Sequence, residues 1–173
     1  MRRILLVLAP VAAVVLAVGL WAFEPWRLWT SSEIDEALPS SEPVAATPTA
    51  GSPTTPPATD TVLASGTFVD AEHGTSGTAR ILRLADGRRF LRLEHLAGSD
   101  GPDLHVWLSD ARSGGSWGSY DDGDHIALGS LKATHGNQNY PIPRSADLTA
   151  MRSVVIWCDR FNVAFGTAAI RVR

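Results

Sequence analysis

One cysteine, Cys158, and five histidines, His73, His95, His105, His125 and His135, carry the side chains best suited to redox or ligand chemistry in this sequence. A thiolate is a nucleophile and a metal ligand, and neutral imidazole binds transition metals and haem iron. Cys158 closes the run Val154-Val155-Ile156-Trp157-Cys158-Asp159-Arg160-Phe161. Strand periodicity puts Val154, Ile156 and Cys158 on one face and Val155 and Trp157 on the other. Two readings of the thiol stay open: a small buried hydrophobe, or a functional group, since an unpaired thiol in an oxidising compartment invites oxidation. Asp159 raises the thiol pKa and Arg160 lowers it. A thiol that works bare must be accessible and near an electropositive group such as Arg160, and it passes through a sulfenic acid or a mixed disulfide.

His73 falls in the loop Asp70–Gly77, where it could bind a metal or haem iron or could simply be solvated. His105 lies opposite the apolar residues of its strand, beside Asp103 and Trp107. His95 falls on the face of Leu91 and Leu93 and reads as a packed polar residue, whereas His125 and His135 read as exposed in glycine-rich loops. No His-x-His or His-x-x-x-His spacing occurs, so a metal site has to be assembled in three dimensions. Asp121-Asp122-Gly123-Asp124 lacks the ligand spacing and closing glutamate of a calcium loop and reads as a solvated turn. A Gly-x-Ser-x-Gly elbow, a phosphate-cradling glycine loop and a nicotinamide fingerprint are all missing.

Behind these side chains stands a 173-residue chain of net charge −3, with 15 basic and 18 acidic residues. That balance excludes a nucleic-acid footprint. A single cysteine excludes an intrachain disulfide and a Cys-x-x-Cys zinc site, but permits a disulfide-linked dimer. The oligomeric state is open.

The N-terminus reads as a membrane segment. Ile4 to Phe23 is uncharged and follows Arg2 and Arg3; a helix of that length covers ~30 Å, the thickness of a bilayer core. Pro10 is tolerated inside a membrane helix, and Trp21, Phe23, Trp26 and Trp29 suit an interfacial belt. A cleaved signal peptide ending near Ala17 and Gly19 is the competing reading, but the length of the run and the bulky residues after it favour a retained anchor. The sequence thus predicts an anchor over residues 1–29, a single-pass protein of the cell membrane, and an extracytoplasmic remainder.

Residues 30–61 form a connecting region. Thr30–Leu38 is acidic and predicts one or two helical turns with Ser32 as N-cap. Between Pro39 and Thr61 there are 6 Pro, 9 Ser or Thr and 4 Ala among 23 residues, a composition expected of a disordered stalk. The folded domain is expected over residues 62–173. Strands are predicted at Ser65–Asp70, Thr78–Leu84, Arg88–Leu96, Leu104–Ser109, Ile126–Leu128, Ser153–Cys158 and Val163–Arg171, with a hairpin turn at Asp86-Gly87 and a short helical turn within Ser145–Arg152. Gly136–Pro143 reads as a polar loop. Short strands and glycine-rich turns predict an all-β fold, an antiparallel β-sandwich or barrel-like domain.

Taken together, Gly66-Thr67-Phe68, His73 with Gly77, Leu91-Arg92-Leu93-Glu94, Gly101-Pro102-Asp103-Leu104, Leu128-Gly129, Gly136-Asn137-Gln138-Asn139-Tyr140 and Val154-Val155-Ile156-Trp157-Cys158 followed by Phe161, Val163 and Phe165-Gly166 resemble the DM-thirteen family, described as an electron-transfer module. The resemblance runs from about Ser65 to Val172. It implies an all-β domain whose hallmark cysteine corresponds to Cys158, acting as a bare redox thiol or as ligand to a prosthetic group such as haem. His73 or His105 is then the candidate second ligand. The loop Arg112–Asp124 matches no element of the pattern. No other redox domain shares the chain, so electron transfer implies a separate partner protein. The expected function is a membrane-anchored, extracytoplasmic redox module; the alternative is a non-catalytic envelope adhesion or interaction module with Cys158 as packing.

Overall fold

The computed structural model describes residues 2–24, 26, 30–41 and 59–172. Nine strands follow one helix, α1 (Arg2–Phe23): β1 (Glu33–Asp35), β2 (Thr61–Asp70), β3 (Thr75–Arg83), β4 (Arg89–Gly98), β5 (Leu104–Ser109), β6 (His125–Ser130), β7 (His135–Ile142), β8 (Ser153–Cys158) and β9 (Val163–Ala169). They form a single sheet in the order β1-β7-β4-β3-β2-β9-β8-β5-β6. All pairings are antiparallel except β1 with β7, which is parallel.

The all-β expectation holds for the domain, but the sandwich form and the purely antiparallel pairing do not. One mixed sheet curls into a half-barrel, with β6 and β7 approaching one another across the opening, in place of two packed sheets. Period-two alternation explains the curl: inward side chains of every long strand meet in one core. Ile81, Leu91, Leu93, Val106, Leu108, Tyr140, Val154, Ile156, Cys158 and Phe165 belong to it.

The predicted transmembrane helix is also corrected. α1 contains Pro10, and among the described residues no helix is long and apolar enough to cross a membrane. Of the proposed aromatic belt, Trp21 and Trp26 are exposed, while Trp29 and the side chain of Phe23 lie outside the described residues. Most of the expected stalk, residues 42–58, also lies outside them.

Thr30–Leu38 is not helical. It runs extended along the outer edge of β7, pairing Glu33, Ile34 and Asp35 with His135, Gly136 and Asn137. Tertiary contacts override its weak helical tendency here. The Glu36 carboxylate accepts from Lys132 Nζ at 2.7 Å and from the Asn139 amide at 2.6 Å. Buried Arg92 donates to the Glu36 and Ala37 carbonyls at 2.9 and 3.2 Å. Gly136 has φ +96° and lies so close to the Ile34 carbonyl that a Cβ would collide with it.

Gly136–Pro143, read as a loop, is largely strand β7. Its prolines hid this, yet Pro141 fits. The amides of His135 and Asn139 point outward, to the Ser32 carbonyl and the Glu36 carboxylate. Pro141 shares their parity, so its missing N–H falls on the free outer edge, where no ladder bond is lost. Ser145–Arg152 makes turns and bends but no helix. His95 is exposed with φ +50°, because the register shift between Leu93 and Leu96 turns it off the core face.

Candidate functional site

Cys158 is the last residue of β8, with Cα partners Leu104 on β5 and Val163 on β9. The face predicted from alternation is the one observed: Val154, Ile156 and Cys158 point into the core, and Val155 and Trp157 point outward. The thiol is free and its residue has 0% relative exposure. It is therefore not the accessible thiol that the sequence required of a bare redox group.

The sulfur nevertheless has polar surroundings. The turn Asp159–Asn162 folds over it, helped by Asn162 at φ +56°. Burial pushes the thiol pKa above its ordinary value; hydrogen bonds from the Phe161, Arg160 and Asp103 amides work the other way, and the Asp103 carboxylate adds to the rise. At neutral pH the group is therefore a protonated thiol. The adjacent Arg160, expected to help by its charge, helps through its backbone.

Phe165 links this corner to His73. The His73 and Phe165 rings lie 4.2 Å apart between centroids, and Phe165 packs on Gly101 beside Leu104. A Cβ on Gly101 would stand 2.9 Å from Phe165 Cζ and 3.0 Å from Leu104 Cδ2. His73 thus sits at the same end of the domain as Cys158, with Phe165 in the chain of contacts between them.

His105 is on the outer face, as its parity predicted. Its cross-strand partner is Trp157, which stacks on Trp107, and Trp107 stacks on His125. This outer face is not bare. Trp107, Val155, Trp157 and Ala164 cluster with Tyr120 from the Arg112–Asp124 loop, whose hydroxyl bonds the Arg112 carbonyl and the Gly115 amide. The loop that matched no element of the resemblance serves as a lid over the second apolar face.

His105 Nε2 lies 2.9 Å from Asp103 Oδ1 and 3.5 Å from Asp159 Oδ2. Asp103-x-His105 was visible as a same-face pair; Asp159 was not, since only the β5–β8 pairing brings it alongside.

The expected haem does not fit here. An axial ligand must present its donor atom to a broad planar group, whereas the Cys158 sulfur is sealed, roofed by backbone amides and neighboured by tight Gly101–Phe165 packing. Cys158 and His105 also lie on opposite faces of one strand pair, so no single iron can take both.

The family model described as Electron transfer DM13 matches residues 67–170, which is 104 of the 173 residues and includes Cys158, His73 and His105. β1 lies outside the match. No curated protein and no solved structure matches the chain.

Proposed function

We infer that this chain, which belongs to the Electron transfer DM13 family, is a redox module that carries electrons on the Cys158 thiol in exchange with a separate partner protein. Membership supports the electron-transfer class. What supports the assignment to sulfur is that the chain's one cysteine, Cys158, lies within the family match at the buried end of β8, where backbone hydrogen bonds from Phe161, Arg160 and Asp103 oppose the rise in pKa that burial causes. A cysteine that only fills space needs no such donors, whereas N–H groups aimed at one atom lower the cost of placing negative charge there.

The closed form is the resting form, because burial keeps the thiol protonated. Reaction requires the exposed Asp159–Asn162 turn to lift, a local opening of the kind that costs less than global unfolding. The thiol then loses its proton to solvent. The thiolate attacks one sulfur of a partner's disulfide, the partner's S–S bond breaks, a Cys158–sulfur bond forms, and the second partner sulfur leaves as thiolate. Such chemistry calls for a compartment where disulfides persist, in keeping with the extracytoplasmic placement expected from the sequence.

Zero exposure of Cys158 favours a second reading, an interaction module in which the sulfur is packing. Thiol labelling and oxidised glutathione, applied to the folded chain, separate the two. The redox reading expects labelling faster than global unfolding and a glutathione mixed disulfide at Cys158. Labelling only at the global unfolding rate, with no mixed disulfide, leaves the packing reading.

A further inference from the structure

We propose that Asp103, His105 and Asp159 form a binding site for a borderline divalent transition ion of the zinc class. One ligand atom from each lies within 4.8 Å of the others. The same ring nitrogen, Nε2, faces both carboxylates, at 2.9 and 3.5 Å. A single ring N–H makes one short straight hydrogen bond, so two carboxylates converging on it exceed what a hydrogen bond uses. Metal–donor bonds of ~2.0–2.2 Å at ordinary angles place neighbouring donors roughly 3–3.5 Å apart; the Nε2 distances to the two carboxylates, 2.9 and 3.5 Å, lie close to that spacing, and the whole set lies within 4.8 Å.

The three residues stand on well-fixed backbone. His105 is the second residue of β5, Asp103 immediately precedes that strand after Pro102, and Asp159 immediately follows β8. The Asp159 amide donates to the Asp103 carbonyl at 3.0 Å, locking the two strand ends together. Ligands held this way need little reorganisation. Side-chain exposures of 47% for both aspartates and 23% for His105 leave room for water to complete the coordination. An imidazole among the donors disfavours magnesium and calcium, and two carboxylates without a thiolate disfavour copper(I). The site lies on the face of the sheet opposite the Cys158 side chain, and the proposal does not depend on that thiol.

Cobalt(II) is the probe, added to the full chain, because its visible bands report coordination directly. The expected result is a saturable 1:1 spectrum, displaced by zinc, whose affinity falls by more than about tenfold in His105→Ala and Asp159→Asn, a loss that even outer partners of ligands can cause. His125→Ala and Cys158→Ala should bind as the parent does. Zinc should raise the melting temperature of the parent and leave that of Asp159→Asn unmoved. Asp159 is exposed, so its variant carries the test if His105→Ala fails to fold. Absence of a saturable cobalt spectrum in the parent, unchanged affinity in Asp159→Asn, or equal loss in His125→Ala would overturn the site.

Discussion

The Asp103 amide hydrogen-bonds toward the Cys158 sulfur while the Asp103 carboxylate meets the His105 ring on the other side of the same strand pair. One residue thus supports the thiolate with its backbone and opposes it with its charge. Asp103→Asn keeps the amide and removes the charge. In metal-free buffer the variant should therefore show a Cys158 pKa lower than the parent's. The check is the pH profile of thiol labelling, whose midpoint should move toward acid; a midpoint that stays or moves to higher pH contradicts the electrostatic account.

Burial of Cys158 also couples stability to alkaline pH. Its folded pKa lies above the ordinary 9.0, so above pH 9 the unfolded chain has lost the thiol proton while the folded chain keeps it. The unfolded state then binds fewer protons, and stability falls with rising pH until the folded thiol also ionises. Tyr140 adds a second such loss: burial, opposed by the Lys132 amide, takes it from 10.0 up to about 12. Cys158→Ala should cost about 1–2 kcal/mol at neutral pH through the cavity it leaves, and it should flatten the decline that begins at pH 9 while sparing the later Tyr140 decline. Denaturant titrations at stepped pH measure both.

How far these relationships could be read from the sequence depends on whether they are local. Alternation in Leu104–Ser109 and Ser153–Cys158 was enough to set the face of Cys158 and of His105, because strand periodicity belongs to the residues themselves. Two of the readings that failed, Thr30–Leu38 and Gly136–Pro143, concern strands that exist by virtue of partners far along the chain. Glu33–Asp35 is a strand because β7 offers an open edge and Glu36, Arg92 and Lys132 clamp the flank. Pro141 and Pro143 argue for a loop until one sees that the N–H Pro141 lacks would have pointed to the outer edge of β7, away from its partner Phe90. The amide cradle of Cys158 was illegible for the same reason. Two of its donors belong to the turn following the cysteine, but the third comes from Asp103, some fifty residues earlier. The sequence left both a buried and a reachable thiol open, because nothing local shows the Asp159–Asn162 turn closing over the sulfur, whose residue has no exposure.

The clamp on β1 predicts an acid-sensitive strap. Burial opposes ionisation of Glu36, but hydrogen bonds from Lys132 and the Asn139 amide and the charges of Lys132 and Arg92 together hold its carboxyl below the ordinary 4.5. A carboxylate with a lowered folded pKa contributes docking stability above pH 4.5 and loses it as pH falls through the folded value. Residues 30–41 should therefore release in acid before the rest of the sheet unfolds. Hydrogen exchange at the His135 and Asn139 amides reports that release. Glu36→Gln should weaken docking by about 1 kcal/mol or less, given the partial exposure of the pair, and should abolish the acid dependence. Equal acid sensitivity in the variant would show that another group controls the strap.

Gly101 offers the most direct handle on the thiol. It carries no Cβ where one would press on Phe165 and Leu104, and Leu104 is the cross-strand partner of Cys158. Gly101→Ala should push the Phe165 ring and the start of β5 apart, at a cost of about 1–3 kcal/mol for overpacking. The packing beside the sulfur loosens, so local opening becomes more frequent. Labelling of Cys158 in the folded variant should accelerate by roughly the factor that its loss of stability implies, about fivefold or more for each 1 kcal/mol felt at this corner. A stability-matched control at the far end of the sheet, such as Ile142→Val, should leave the labelling rate near that of the parent if opening is local. If both variants accelerate labelling equally, the sulfur is reached only through global unfolding, and Cys158 is packing.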